Sequence, residues 1–220
     1  MESSSLAHYL VAPPQVAVQP DRPPNYPTSK LVLTLDNILS TEECQTLIDA
    51  SEALGYEPAL LNVGGGRQEL HTDVRNNDRC IIDDRIAAAI IWERVRPFLP
   101  PTFQGLPLVG VNERLRFLRY DPGQEFKPHL DGYYCRPDKS EMSFLTIQLY
   151  LNGGAALVGG ATTIFNQSFN DVIPVHPVAG RALVFQHDGV WHAGAPVVQG
   201  RKYAIRSDVM CRLPPDFDFE

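Results

Sequence analysis

No C-x-x-C pair occurs among the four cysteines, Cys44, Cys80, Cys135 and Cys211, so neither a zinc knuckle nor a thioredoxin-type dithiol is expected. A chain of 220 residues can hold a core without disulfides, and the four thiols are read as free in a reducing compartment. Basic residues are in short supply: 19 Lys and Arg stand against 26 Asp and Glu, a formal charge of −7. Nucleic-acid binding draws most of its affinity from Lys and Arg on phosphates, so no nucleic-acid partner is expected. No apolar run comes near the roughly 18 residues of a membrane span, and no membrane partner is expected. The first residues carry Glu2, no basic run and only a broken apolar stretch. They do not read as a secretory leader; the cytoplasm is the expected compartment, with the nucleus left open.

What remains is ordinary globular usage, 44% hydrophobic and 20% charged, which excludes a wholly disordered or collagen-like chain. The length suits one domain with a sizeable core. Residues 1–29 hold Pro13, Pro14, Pro20, Pro23, Pro24 and Pro27. Proline removes backbone donors and disfavours helix before it, so 1–29 reads as an extended arm and 30–220 as a single domain. Ser40 and Glu43 have capping-box spacing ahead of Cys44, Leu47, Ile48, Ser51 and Leu54 at helical period, with Gly55 as the stop. A second helix is expected from Asp83 or Asp84 through Ile86, Ile90, Ile91 and Val95 to Pro97. Between them, Gly64, Gly65 and Gly66 lack the Lys-Ser/Thr of a phosphate loop and read as a mobile loop or lid.

From about residue 107 the texture becomes short β-like runs: 115–120, 144–151, 161–165, 181–185 and 202–211. The layout is α+β, mainly β, with a helical buttress at about 30–106 and a β core at about 107–213. On 144–151, Thr146, Gln148 and Tyr150 share one face, and Leu145, Ile147, Leu149 and Leu151 share the other. The apolar face should meet the helices, and the mixed face should look into a pocket.

His129 and Asp131 form an H-x-D pair that points one way in an extended segment. A third ligand from a distant strand would complete a facial site of two histidines and one carboxylate. Such a site leaves cis positions open, as non-haem Fe(II) oxygenases require. On composition, His192, His187 and His176 all stand as candidates for that third ligand. The surrounding motifs are more specific: RYDPGQEFKPHLD, then LYLNGG, VGGATTIF and HAGAPVVQGRKY. In this order, over roughly 107–211, the chain resembles the Fe(II)/2-oxoglutarate-dependent dioxygenases of the prolyl 4-hydroxylase-like branch.

The resemblance implies a double-stranded β-helix (jelly-roll) core with N-terminal helices packed on one sheet. It implies Fe(II) on His129, Asp131 and His192, with O2 and 2-oxoglutarate consumed and a C–H bond hydroxylated. It places Lys202 on the far carboxylate of 2-oxoglutarate, with Tyr150 and Tyr120 as further cosubstrate contacts. Arg201 is the rival of Lys202, since strand neighbours point to opposite faces. Halogenating relatives replace the carboxylate ligand with a small residue, so Asp131 favours hydroxylation. Ascorbate is the reductant the branch suggests. Arg206, Arg79 and Arg75 are candidates for substrate contact, and a prolyl residue of a peptide or protein is the suggested substrate. The alternatives are the same chemistry on a small molecule or free amino acid, a cupin-like metal enzyme that does not use 2-oxoglutarate, and a non-catalytic interaction module.

Overall fold

The structure, a computed structural model, describes residues 5–10, 17–22, 29–64, 67–166 and 172–217. In chain order these carry β1 (Gln19–Asp21), β2 (Val32–Asp36), α1 (Thr41–Leu54), β3 (Glu57–Pro58), β4 (Leu61–Gly64), β5 (Arg67–Glu69), β6 (Asp78–Asp83), α2 (Arg85–Val95), β7 (Thr102–Phe103) and β8 (Leu106–Val111). There follow β9 (Arg114–Tyr120), β10 (Phe126–His129), β11 (Glu141–Tyr150), β12 (Val158–Gly159), β13 (Thr162–Phe165), β14 (Val172–Val175), β15 (Ala182–Gln186), β16 (His192–Gly194), β17 (Val197–Gln199) and β18 (Lys202–Arg212). No helix among the described residues is long and apolar enough to cross a membrane.

A large sheet runs β1-β2-β15-β11-β18-β9-β6-β3, and a smaller one runs β10-β16-β13-β14. The pairings in both are antiparallel, and the two sheets make the jelly-roll. Val32, Tyr150, Leu183 and Phe185 of the large sheet pack against Ile164, Ile173 and Val175 of the small one. The other face of the large sheet presents Leu115, Phe117, Leu145, Ile147, Leu149, Ile205 and Val209. These meet Cys44, Leu47 and Ile48 of α1 and Ala87, Ala88, Ile91 and Val95 of α2.

Each helix begins where its side chains satisfy the free N–H groups of the first turn. Ser40 accepts from the Glu43 N–H while Glu43 accepts from the Ser40 N–H, a closed capping box. Asp84 caps α2 by accepting from Ile86 and Ala87. The burial stripe of α2 differs from the expected isoleucine series: Ile86 is exposed, and Ala87 and Ala88 lie against the sheet. Small side chains there let helix and sheet approach closely, which a longer residue would prevent. Leu54, at the end of α1, is likewise exposed. A buried two-pronged ion pair from Arg94 to Glu43 ties the helices together.

Two parts of the chain carry more than their composition suggested. Leu6 and Leu10 of the proline-rich arm are buried in the helix-side core, and the Ser5 hydroxyl and Leu6 N–H both donate to Asp84. Of the arm's prolines, only Pro20 is among the described residues, and it lies in β1. The stretch read as a helical buttress also supplies β2 and β6 to the large sheet. Of the three glycines, Gly65 and Gly66 lie outside the described residues, and β4 and β5 on either side pair as a hairpin.

Candidate metal centre

Three short pieces of backbone bring His129, Asp131 and His192 together. His129 closes β10, His192 opens β16, and the two residues face each other in the antiparallel register. Pro128 sits inside β10, which is tolerated because β10 is an edge strand. Asp131 follows two residues after His129. One ligand atom from each of the three residues lies within 4.8 Å of the others. His192 Nε2 is 3.7 Å and His129 Nε2 3.9 Å from the Asp131 oxygens.

Second contacts orient the donors. His129 Nδ1 bonds the Lys127 carbonyl at 2.8 Å, and His192 Nδ1 bonds the Val190 carbonyl at 3.1 Å. With each Nδ1–H donated to a carbonyl, both Nε2 lone pairs point toward Asp131, the tautomer a metal ligand needs. Burial, and next the neighbouring His192, push His129 down to about 3, so its imidazole is neutral. Burial alone would raise Asp131. Arg206, the two histidines and a hydrogen bond from Thr146 outweigh it and hold the carboxyl well below its usual range. Two imidazoles and one ionised carboxylate, with no thiolate, fit Fe(II). The other histidines stand elsewhere. His187 is buried 3.9 Å from Asp208, and His176 is exposed beyond β14.

The three residues open into a cavity of about 530 Å³ between the sheets. Its floor is the inner face of the large sheet. Tyr120 pairs with Lys202, Arg116 with Arg206, Arg206 with Gln148, and Asp208 with Thr146, so these side chains share one side. Lys202 is 2% exposed, with Nζ 5.0 Å from the Tyr120 ring centroid and 5.6 Å from that of Tyr150. Burial lowers the Lys202 ammonium to about 7. Gly160, at φ +68, leaves space for its stem: a Cβ there would stand 3.2 Å from Lys202 Cδ. Tyr150 and Gln148 both donate to Thr162 Oγ1, which ties the two sheets together beside Lys202. Arg201 points the other way, is exposed, and pairs with Asp121 and Glu52.

Arg75, Arg79 and Arg206 all line the same cavity. Arg75 lies over the Phe126 ring, which itself stacks on His129 at 3.6 Å. Arg79 pairs with Glu57 and bonds Gln68 of β5, which ties the hairpin to the rim. Arg206 reaches Asp131 at 3.3 Å and Asp208 at 3.0 Å. Arg116 and Thr162 also line the cavity and went unread in the sequence. Arg116 was within reach of the strand period, four residues before Tyr120 on the same face. Thr162 was not, because its role depends on which two sheets meet.

Residues 115–207 match the family model described as the 2OG-Fe(II) oxygenase superfamily. The matched span holds the three metal-site residues and Lys202. Prolyl 4-hydroxylase 2 of Arabidopsis thaliana is 23% identical over 223 residues, covering 89% of this chain and 72% of that protein. A crystal structure of a Pseudomonas putida prolyl-4-hydroxylase superposes with a TM-score of 0.60 at 21% identity, covering 83% of this chain and 92% of that one. A Trichoplax adhaerens prolyl hydroxylase, in complex with a hypoxia inducible factor oxygen degradation domain peptide fragment, gives 0.59 at 17% identity, covering 83% of each chain. By these matches, and by a cavity that brings the matched residues together, the chain is similar to the 2OG-Fe(II) oxygenase superfamily and, within it, to prolyl 4-hydroxylases, a likeness that fits an enzyme using Fe(II), 2-oxoglutarate and O2.

Proposed function

We propose that this chain hydroxylates a prolyl C–H bond in a peptide or protein, with His129, Asp131 and His192 as the iron ligands. The observation that carries the reading is the convergence of two oriented Nε2 atoms and one carboxylate at the mouth of a cavity that also holds Lys202. Iron, when bound, supplies the redox chemistry that activates O2. The protein's own residues do the rest. Lys202 meets the far carboxylate of 2-oxoglutarate, and Tyr120 and Tyr150 fix the walls around it. A buried carboxylate without a cation would be costly, and Lys202 has no other anion in reach among the described residues. Thr146 and Arg206 hold the Asp131 carboxylate in place from behind.

The prolyl peptide is suggested by the relatives, whose names give that substrate class. The Arg79–Gln68 contact gives the β4–β5 hairpin a place at the rim, where a peptide would pass. The catalytic unit is assigned to residues 30–220, and ascorbate is assigned as the reductant. The test is succinate formation from 2-oxoglutarate with Fe(II) and ascorbate, across prolyl peptides and small metabolites. A proline-containing peptide should raise succinate above the uncoupled background and gain 16 Da, the mass of one oxygen atom. Stimulation by metabolites alone would move the substrate away from peptides. No dependence on 2-oxoglutarate would overturn the reaction assignment.

A further inference from the structure

We propose that the cavity carries a second anion clamp, separate from Lys202, and that the substrate presents a carboxylate to it beside the carbon being oxidised. The inference rests on the reading of His129, Asp131 and His192 as the iron site.

Arg116 and Arg206 stand directly opposite each other on β9 and β18, with side chains only 25% and 16% exposed. Like charges directly opposite on neighbouring strands destabilise the pair, and burial makes the repulsion worse. One carboxylate lies between them: Asp208 is 3.4 Å from Arg116 and 3.0 Å from Arg206. Asp131 also reaches Arg206, at 3.3 Å, but its charge is shared with the metal site, which leaves Asp208 as the one carboxylate committed to the two arginines. Arg75 adds a third cation from the opposite wall. Its Nε donates to Asn77, and it has no carboxylate within 4 Å among the described residues. Arg79, by contrast, is matched by Glu57.

The surplus survives loading of the site. Iron(II) and the 2-oxoglutarate dianion cancel each other, and Asp131 offsets at most one of the remaining cations. The position is equally informative. Arg206 lies four residues from Lys202 on one face of β18, roughly 13 Å at about 3.3 Å per residue. It touches Asp131, so the surplus sits beside the metal ligands and away from Lys202. A guanidinium cluster in that place matches a carboxylate in two-pronged geometry, whereas a neutral substrate would leave it uncompensated.

The carboxylate can come from a free amino acid, from the C-terminus of a peptide or from an acidic side chain next to the target residue. The experiment is a calorimetric titration of the Mn(II)-loaded full chain with 2-oxoglutarate, without O2. The probes are N-acetylproline, N-acetylprolinamide, and end-blocked prolyl peptides with and without an adjacent Asp. Charge-assisted contacts are worth about 1.5–3 kcal/mol, and each 1.4 kcal/mol is about tenfold. At least one acidic probe should therefore bind about tenfold tighter than its neutral counterpart. Which pair shows the preference identifies the source of the carboxylate. Arg116→Gln should erase most of the preference, with 2-oxoglutarate affinity nearly unchanged because Arg116 is remote from Lys202. Equal binding of acidic and neutral probes, no binding of any probe at millimolar concentration, or an undiminished preference in Arg116→Gln would each overturn the clamp. Failure of Mn(II) or 2-oxoglutarate to bind the unmodified chain would overturn the iron-site reading itself, and the clamp with it.

Discussion

The two faces of β9, β11 and β18 are opposite in character, although they alternate residue by residue. Leu145, Ile147, Leu149, Phe117 and Ile205 look toward the helices and are at most 2% exposed. Thr146, Gln148, Tyr120, Arg116, Lys202 and Arg206 look into the cavity from the same strands, while Tyr150 is packed between the sheets beside it. The first face lowers the free energy of folding by roughly 25 cal/mol for each Å² of apolar surface removed from water. The second face works against folding, since it buries cations with too few anions. That arrangement persists because ligands supply the missing charge and coordination when they bind. A polar inner face on a well-packed apolar outer face therefore marks a site rather than a fault in the core.

Breaking the inner face at the metal should have the largest effect. His129→Ala, Asp131→Ala and His192→Ala should each lower iron affinity and turnover by at least about a hundredfold, the upper end of losses from outer-sphere changes alone. His187→Ala should keep the iron. Iron binding by equilibrium dialysis and succinate formation check both statements, and unaltered binding in all three variants would remove the assignment.

Breaking the outer face should damage the fold and spare the site. Phe117→Ala, at a fully buried position, should cost about 3–5 kcal/mol, a fall in Tm of roughly 10 °C. The half-saturating 2-oxoglutarate concentration of the protein that stays folded should not move. If it shifts as far as stability does, the two faces are not independent.

One strand position separates the next pair of variants. Lys202→Ala should raise the half-saturating 2-oxoglutarate concentration by at least about tenfold, from a charge-assisted contact of about 1.5–3 kcal/mol. Arg201→Ala, on the outer side, should change it little. The reverse pattern would move the cosubstrate to the other face.

The same lysine sharpens the comparison through pH. With the cavity empty its pKa is lowered to about 7, and a bound carboxylate raises it. Binding therefore takes up a proton above about pH 7. The 2-oxoglutarate affinity should be flat below that value. It should weaken by up to about tenfold per pH unit above it, until the raised pKa of the complex is reached. Affinity measured between pH 6 and 9 checks the direction; strengthening with pH would contradict it. The smallest effect belongs far from the cavity: Ser40→Ala, which opens the capping box of α1, should cost about 1 kcal/mol in urea unfolding with catalysis intact.

Much of this was legible before any coordinates. Local rules place α1 from Ser40 to Gly55 and place the inner and outer faces of β11, because capping and the two-residue period act between near neighbours. The ordered motifs from Arg119 to Tyr203 carry the family. The strands at 126–129 and 192–194 were not legible: one contains Pro128, the other is His-Ala-Gly, and neither has strand propensity of its own. Leu6 and Leu10 were hidden for a similar reason, since the prolines that follow them, from Pro13 on, advertise an arm and only the packing beside α2 gives those leucines a place to bury.

By itself, then, the sequence determined the chemistry available: two imidazoles and a carboxylate, a lysine before a tyrosine, and a strand with one polar face. The tertiary structure decided how they meet. It brings His192, and neither His187 nor His176, to His129 and Asp131, as the motifs implied, sets Lys202 inside and Arg201 outside, and puts Arg116 opposite Arg206. These are pairings between residues tens of positions apart. They depend on strand register and on how two sheets close over each other, and no local preference of the chain encodes either.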